Sequence, residues 1–257
     1  MKKIILFSAF ILFLSSGIFA GQLYQLGTIN SMMKGYYEGV MEINEVKSFA
    51  NMGLGTTTKL GEVVGIDSKF YLADPNGNAK QMNGKTQVPY LTAVSFSPDN
   101  SFKVDYVKNS KDFYALLEKK LKGDNIFYAI RVDGSFQSVE ARSEDFLGDE
   151  PVPLGEWIKN HQKSFTFKNI SGTLVIFKCP ECISGIGVGG YHAHFLSNDK
   201  KVGGHVFDFT IIKGKVSVET IYEMNLILPE TEKFQKADLS GANDKSADMI
   251  KAIETKE

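Results

Sequence analysis

A chain of 257 residues with 43% hydrophobic content is long enough to bury one large core or two modest ones. Its formal net charge of -1 argues against a nucleic-acid-binding protein, because phosphate recognition needs a basic face. No run of like charges marks a polyelectrolyte tail.

Residues 1–20 read as a secretory leader. Lys2 and Lys3 form a positive start, Ile4 to Leu14 an apolar stretch, and small residues precede a cleavage point after Ala20. The apolar stretch is short of the roughly 20 residues that a spanning helix needs. Cleavage takes the net charge from -1 to -3 and leaves an exported chain, periplasmic or extracellular, without a membrane segment.

Residues 23–50 carry apolar positions at helical spacing (Leu23, Leu26, Met33, Tyr37, then Ile43, Val46, Ala50), which predicts two short helices broken near Gly35–Gly39. From Gly53 the texture becomes β. A hairpin is expected from Glu62–Ile66 and Lys69–Ala73 around Asp67-Ser68, with strands at Val88–Phe96 and Phe102–Val107. Ser110–Lys122 is a helix with Phe113, Leu116, Leu117 and Leu121 on one stripe. Phe127–Val132 and Ser135–Ala141 flank Asp133-Gly134, a strong hairpin signal. On that register Arg131 faces Phe136, and Arg131 and Arg142 share a face. Pro151 and Pro153 mark a crossing between two halves, followed by a short helix with Trp157 and Ile158. Strands follow at Phe165–Phe167, Thr173–Phe177, Val188–Leu196, His205–Ile212 and Lys215–Tyr222, and a helix at Ser246–Thr255. The expected class is α+β (mixed α/β), with two β-sheet-based subdomains, 21–150 and 151–257, and peripheral helices. The second subdomain is the β-rich, metal-binding one.

The segment GGYHAHFLSNDKKVGGHVFDF holds three of the four histidines. His192 and His194 are two apart and share a strand face. A two-residue turn at 199 and 200 sets His194 opposite His205, where Cβ atoms lie roughly 4.5–5.5 Å apart. All three imidazoles then converge in an open three-His site of the kind that holds a catalytic Zn²⁺. The plain alternative is a hydrophilic strand face with chance histidines. Gly189-Gly190 and Gly203-Gly204 flank the site and suit close backbone approach or a bulge. His161, on the Trp157 helix, reads as solvent-facing.

Other residues are less specific taken alone. Cys179-Pro180-Glu181-Cys182 has the spacing of a local disulfide, of two free thiols, or of half a metal or redox site. Glu62 opens a strand after the glycine- and threonine-rich run Gly53–Thr58, and by itself reads as a surface strand residue. Arg131 and Arg142 read individually as solvated charges.

Together, LYQLGTINSMMKGYYEG (23–39), MGLGTTTKLGEVVGIDSKFY (52–71), FYAIRVDGSFQSVEARS (127–143), the histidine block (170–209) and LPETEKFQKADL (228–239) resemble the α-acetolactate decarboxylase family, in order and over nearly the whole mature chain. The resemblance implies conversion of 2-acetolactate, a small 2-hydroxy-3-keto acid, to (R)-acetoin and CO₂ through a metal-stabilised enediolate. It implies one Zn²⁺ per chain and a homodimer. By resemblance, His192, His194 and His205 are the metal ligands and Glu62 is a carboxylate at the metal. Arg142 is the active-site arginine, Thr56 lines the pocket, and Glu254 is the carboxylate of the tail. Glu62, Arg142 and Glu254 are thus the catalytic set, with Thr56 and Arg142 binding substrate. The cysteine pair replaces a more usual Thr-Pro-Glu-Tyr-like run, which sets it apart from the shared chemistry. Two other readings of the histidines stay open: a secreted three-His zinc hydratase or hydrolase, and a metal-binding protein without catalysis.

Overall fold

The computed structural model describes residues 21–148, 152–240 and 250. In chain order these form β1 (Gly21–Leu26), α1 (Ile29–Met33), β2 (Met41–Glu42), α2 (Ile43–Val46), β3 (Met52–Thr56), β4 (Glu62–Ile66) and β5 (Lys69–Ala73). Next come β6 (Ala79–Gln81), β7 (Gln87–Val88), β8 (Tyr90–Val94), β9 (Asn100–Val104), α3 (Ser110–Glu118) and β10 (Phe127–Glu144). The rest is α4 (Leu154–His161), β11 (Gln162–Cys179), a 3-10 turn, β12 (Gly190–Ser197), β13 (Gly203–Ile227) and α5 (Glu232–Gln235).

Strands dominate, and eleven of them belong to one sheet. Its path runs β10-β11-β12-β13-β1-β8-β3-β4-β5-β6, with β9 on β13. β10 also pairs with β13, so β10, β11, β12 and β13 close into a ring. β2 and β7 form a separate pair. One core fills the ring beneath α3 with Phe113, Phe136, Phe195 and Phe209, and a second joins Leu54, Val64, Phe177 and Ile221. A third cluster surrounds α1 and α4 and forms the apolar wall described below. No helix among the described residues is long and apolar enough to cross a membrane.

Local chemistry explains the tight turns. Asp67 and Ser68 both have positive φ, 52° and 60°, as a two-residue hairpin turn demands, and Glu62–Ile66 pairs with Lys69–Ala73 as expected. The helix after Asn109 starts where the Asn109 side chain accepts the Asp112 N–H at 2.7 Å. It buries Phe113 and Leu117.

Several expectations fail. The stretch from Leu23 is strand first and helix second: β1 lies between β13, to which it is parallel, and β8. Two distant partners there override the three-residue spacing of Leu23 and Leu26. Asp133-Gly134 is no hairpin turn but the middle of an 18-residue strand. Gly134 sits beside Gly172 and Gly214 in register, a row of glycines across three long strands. A Cβ at 134 would stand 2.5 Å from the Lys213 carbonyl oxygen, so the glycine serves close approach and not a turn. The Asp133 carboxylate accepts from Arg131 Nε and Thr173 Oγ1, both at 2.8 Å, instead of its own backbone. Phe136 therefore pairs with Ile170 and Ile211, not with Arg131, and the two arginines lie on one strand. Likewise Phe165–Phe167 and Thr173–Phe177 fuse into β11, and His205–Ile212 and Lys215–Tyr222 into β13. The leader and the Ser246–Thr255 helix lie outside the described residues, apart from Ile250 in the latter.

Candidate metal centre

The histidine register is as the sequence predicts. His194 pairs with His205, Phe195 with Gly204 and Leu196 with Gly203. On the far side of β13, His205 pairs with Arg142 of β10. Three adjacent strands thus set His194, His205 and Arg142 in a row, with His192 two residues along from His194. Gly204 permits this: a Cβ there would meet the Arg142 carbonyl oxygen at 2.6 Å. Of the register shifts between β10 and β13, the one nearest the site skips Phe207 of β13 and leaves the β12 register intact.

All three imidazoles are buried, and one ring nitrogen of each lies within 4.8 Å of the other two. His192 Nε2 stands 3.1 Å from His194 Nε2 and 3.2 Å from His205 Nδ1. Bonds of 2.0–2.1 Å to a tetrahedral zinc would give nitrogen–nitrogen edges of about 3.3–3.4 Å. His194 Nδ1 donates to the Val63 carbonyl at 2.8 Å, which leaves its Nε2 lone pair facing His192. Burial first, then the positive Arg142, holds the His194 pKa down at about 3. Burial, His194 and Arg142 press His192 well below the usual imidazole range as well. Neutral rings with converging lone pairs suit a cation and suit one another poorly without it. The donor set therefore fits a divalent metal ion.

Glu62 enters from the other half of the sheet. β3 and β4 pair Thr56 with Glu62 across the turn at 57–61. The Thr56 hydroxyl donates to the Gly61 carbonyl at 2.7 Å and the Thr57 hydroxyl to Leu60 at 2.8 Å. Leu60 (φ 69°) and Gly61 (φ 80°) both take left-handed backbone, a strain of roughly 1–2 kcal/mol at the leucine. Glu62 Oε2 lies 3.2 Å from His194 Nε2, and Oε1 accepts from Arg142 Nη1 at 2.7 Å. β3 can lie this close to β8 only because residue 55 is glycine: a Cβ would be 2.2 Å from the Tyr90 carbonyl oxygen. That explains the glycine spacing of GLGT.

His192, His194, His205, Glu62, Arg142 and Thr56 all line one pocket with about 380 Å³ of empty volume. Ile29, Met32, Leu60, Leu154 and Ile158 form its apolar wall. Arg131 is elsewhere, paired with Asp67 at 2.6 Å and Asp133 at 2.8 Å. His161 stacks on Trp157 with ring centroids 3.8 Å apart, partly exposed. Cys179 and Cys182 are free thiols; Cys179 is buried, which pushes its pKa up to about 12, and neither lines the pocket. Glu254 lies outside the described residues. Glu144, which sequence reasoning missed, is buried at the pocket beside Arg142. The signal for it was faint: it lies two residues beyond Arg142, hence on the same face if the strand continues past Ala141.

A family model described as alpha-acetolactate decarboxylase matches residues 23–241. The chain belongs to the α-acetolactate decarboxylase family. Its similarity to the family's protein from Bacillus subtilis strain 168 is 37% identity over 92% of this chain and 91% of that one. For the Methanosarcina mazei relative the figures are 34%, 84% and 75%. The crystal structure of the Bacillus subtilis 168 α-acetolactate decarboxylase superposes with a TM-score of 0.86, at 36% identity, over 91% of this chain and 99% of that one. A Staphylococcus aureus protein of unknown function, described as similar to α-acetolactate decarboxylase, gives a TM-score of 0.85 at 28% identity over 91% and 100%. Membership of the α-acetolactate decarboxylase family thus rests on whole-chain likeness as well as on the histidine block.

Proposed function

We propose that this chain decarboxylates 2-acetolactate to (R)-acetoin and CO₂, with one Zn²⁺ held by His192, His194 and His205 and with Glu62 beside it. What most supports this reading is the convergence of three imidazoles, a carboxylate and a guanidinium on one buried pocket. Zn²⁺ at such a site supplies Lewis-acid chemistry at the substrate's oxygens.

The chain's own residues do the rest. Arg142 holds the substrate carboxylate by charge-assisted hydrogen bonds and sets the direction of the bond that breaks. Cleavage of that carbon–carbon bond releases CO₂. Its electron pair stays on the adjoining carbon, conjugated with the neighbouring ketone as an enediolate. Glu62 takes the hydroxyl proton, and a proton returned to carbon from one side completes a single acetoin enantiomer. Glu254 is assigned as the second acid–base group of this exchange. The wall of Ile29, Met32, Leu60, Leu154 and Ile158 receives the methyl groups and keeps the charges in low-dielectric surroundings, with Thr56 at the pocket edge.

The test is acetoin formation from racemic acetolactate with chiral analysis of the product. (R)-Acetoin is expected. A zinc-loaded chain that forms no acetoin favours a hydratase or a non-catalytic metal binder.

The same reading takes residues 1–20 as a leader removed before Gly21, the mature chain as an exported homodimer, and its two subdomains as meeting near residue 150. Amino-terminal sequencing, light scattering and limited proteolysis test these points. A start other than Gly21, a monomeric mass, or cleavage that avoids the region around 150 contradicts each in turn.

A further inference from the structure

Arg142 is held by two carboxylates, and only one of them has a place in the reaction. Its Nη1 donates to Glu62 Oε1 at 2.7 Å and to Glu144 Oε2 at 3.0 Å. Glu144 is 2% exposed and Arg142 3% exposed, so both interactions are sheltered from water. The other oxygen of Glu144 accepts the Gly61 backbone N–H at 3.0 Å. Gly61 immediately precedes Glu62 and ends the turn that contains the strained Leu60. One carboxylate therefore ties the guanidinium of β10 to the backbone that carries the acid–base group of β4. With Nη1 committed to two acceptors, the buried Nε–H of Arg142 has no hydrogen-bond partner among the described residues. The side of the guanidinium that bears Nε is the one that pairs side-on with a carboxylate.

We propose that Glu144 is a positioning residue for decarboxylation: it clamps Nη1 of Arg142 and the Gly61 turn together, so that the Nε side of the guanidinium meets the substrate carboxylate at a fixed angle. The angle matters because the breaking carbon–carbon bond must lie in line with the ketone π system for its electron pair to be accepted. A looser guanidinium still attracts the carboxylate but no longer orients it. The inference rests on the decarboxylase reading above.

The test is a double-mutant cycle on kcat and KM with Glu144→Gln and Arg142→Ala. Metal content and thermal stability are measured alongside. Glu144→Gln keeps an acceptor for Gly61 but turns the Arg142 contact into donor against donor. The expected result is a 10–100-fold loss of kcat with KM moved less than about three-fold, the size typical of an orienting partner. In the Arg142→Ala background the same substitution costs less than about two-fold, because nothing is left to orient. A purely structural Glu144 would lower thermal stability, leave kcat and KM of the folded enzyme unchanged, and overturn the proposal. Multiplying effects in the cycle would overturn it too. If Glu144→Gln does not fold, Glu144→Asp, which retracts the same charge by one methylene, takes its place. It should lower kcat in wild type and not in Arg142→Ala, and equal losses in both would refute the clamp. Wild-type enzyme that forms no acetoin sinks the parent reading and this one together, whereas active wild type with multiplying variants sinks only this one.

Discussion

Leu60 offers a test in which the usual ranking of two substitutions changes. Its side chain is fully buried in the pocket wall, in one cluster with Ile29, Met32, Tyr90, Leu154 and Ile158, yet its φ is 69°. Leu60→Ala keeps the left-handed strain and loses the packing, at about 2–5 kcal/mol for a buried leucine. Leu60→Gly loses the same packing plus one more buried carbon, worth about 0.8 kcal/mol. Glycine also adds roughly 0.5–1 kcal/mol of backbone entropy cost. Against these, glycine removes the left-handed penalty of about 1–2 kcal/mol. The terms nearly cancel, so the glycine variant should match the alanine variant to within about 0.8 kcal/mol, whereas with right-handed backbone it would be worse by about 1–2 kcal/mol. Urea unfolding with equal metal loading and unchanged m-values measures the difference. A glycine variant less stable than the alanine variant by more than about 1 kcal/mol would show that the turn at 57–61 stores no strain.

Other perturbations follow from the same geometry. Arg142→Met lowers turnover severely and leaves Glu62 and Glu144, which are 5% and 2% exposed, without the guanidinium that bridges them. The cost is about 3–5 kcal/mol. A loss below about 1 kcal/mol in denaturant titrations, the size of an exposed pair, contradicts the buried ion-pair geometry. Gly55→Ala places a methyl 2.2 Å from the Tyr90 carbonyl oxygen and 2.8 Å from Leu91 Cα, both backbone atoms that cannot swing away. It should cost about 1–3 kcal/mol and displace Thr56, and an unchanged melting temperature would refute the close β3–β8 approach. Burial first, with Asp99 adding to it, raises the pKa of Glu219 from 4.5 to about 7. The unfolded chain therefore loses this proton before the folded one, and stability falls as pH rises from about 4.5 to about 7. Glu219→Gln, which keeps an acceptor for the Ser97 N–H, should gain about 1–2 kcal/mol at pH 8 and little at pH 4. Equal effects at both pH values in thermal melts would count against that sign.

Much of the site was legible because it rests on local rules. Asp67-Ser68 closes a two-residue hairpin, so its pairing follows by counting; counting from 199–200 likewise puts His194 against His205, although that ladder stops at the pair Leu196 and Gly203 and leaves a longer loop. The two-residue spacing of His192 and His194 then fixes their common face. What was not legible depends on distant partners. Asp133-Gly134 has the composition of a turn, yet β11 and β13 extend ladders past it on both sides. Leu23 and Leu26 have helical spacing, yet β8 and β13 claim them as strand. Glu62 and Arg142 are 80 residues apart, and only the folded sheet sets them 2.7 Å from each other. Resemblance to the family named both; strand periodicity could not. Glu144 escaped because the strand carrying it was expected to end at Ala141.

Metal-dependent turnover tests the central claim most directly. The chain is stripped with a chelator, titrated with Zn²⁺, and assayed for acetoin at each step, with His194→Ala in parallel. The account predicts that stripping abolishes acetoin formation, that activity returns in proportion to bound Zn²⁺ and saturates at one ion per chain, and that the variant neither binds the ion nor turns over. Full activity in a metal-free chain, or in a His194→Ala variant, would contradict it.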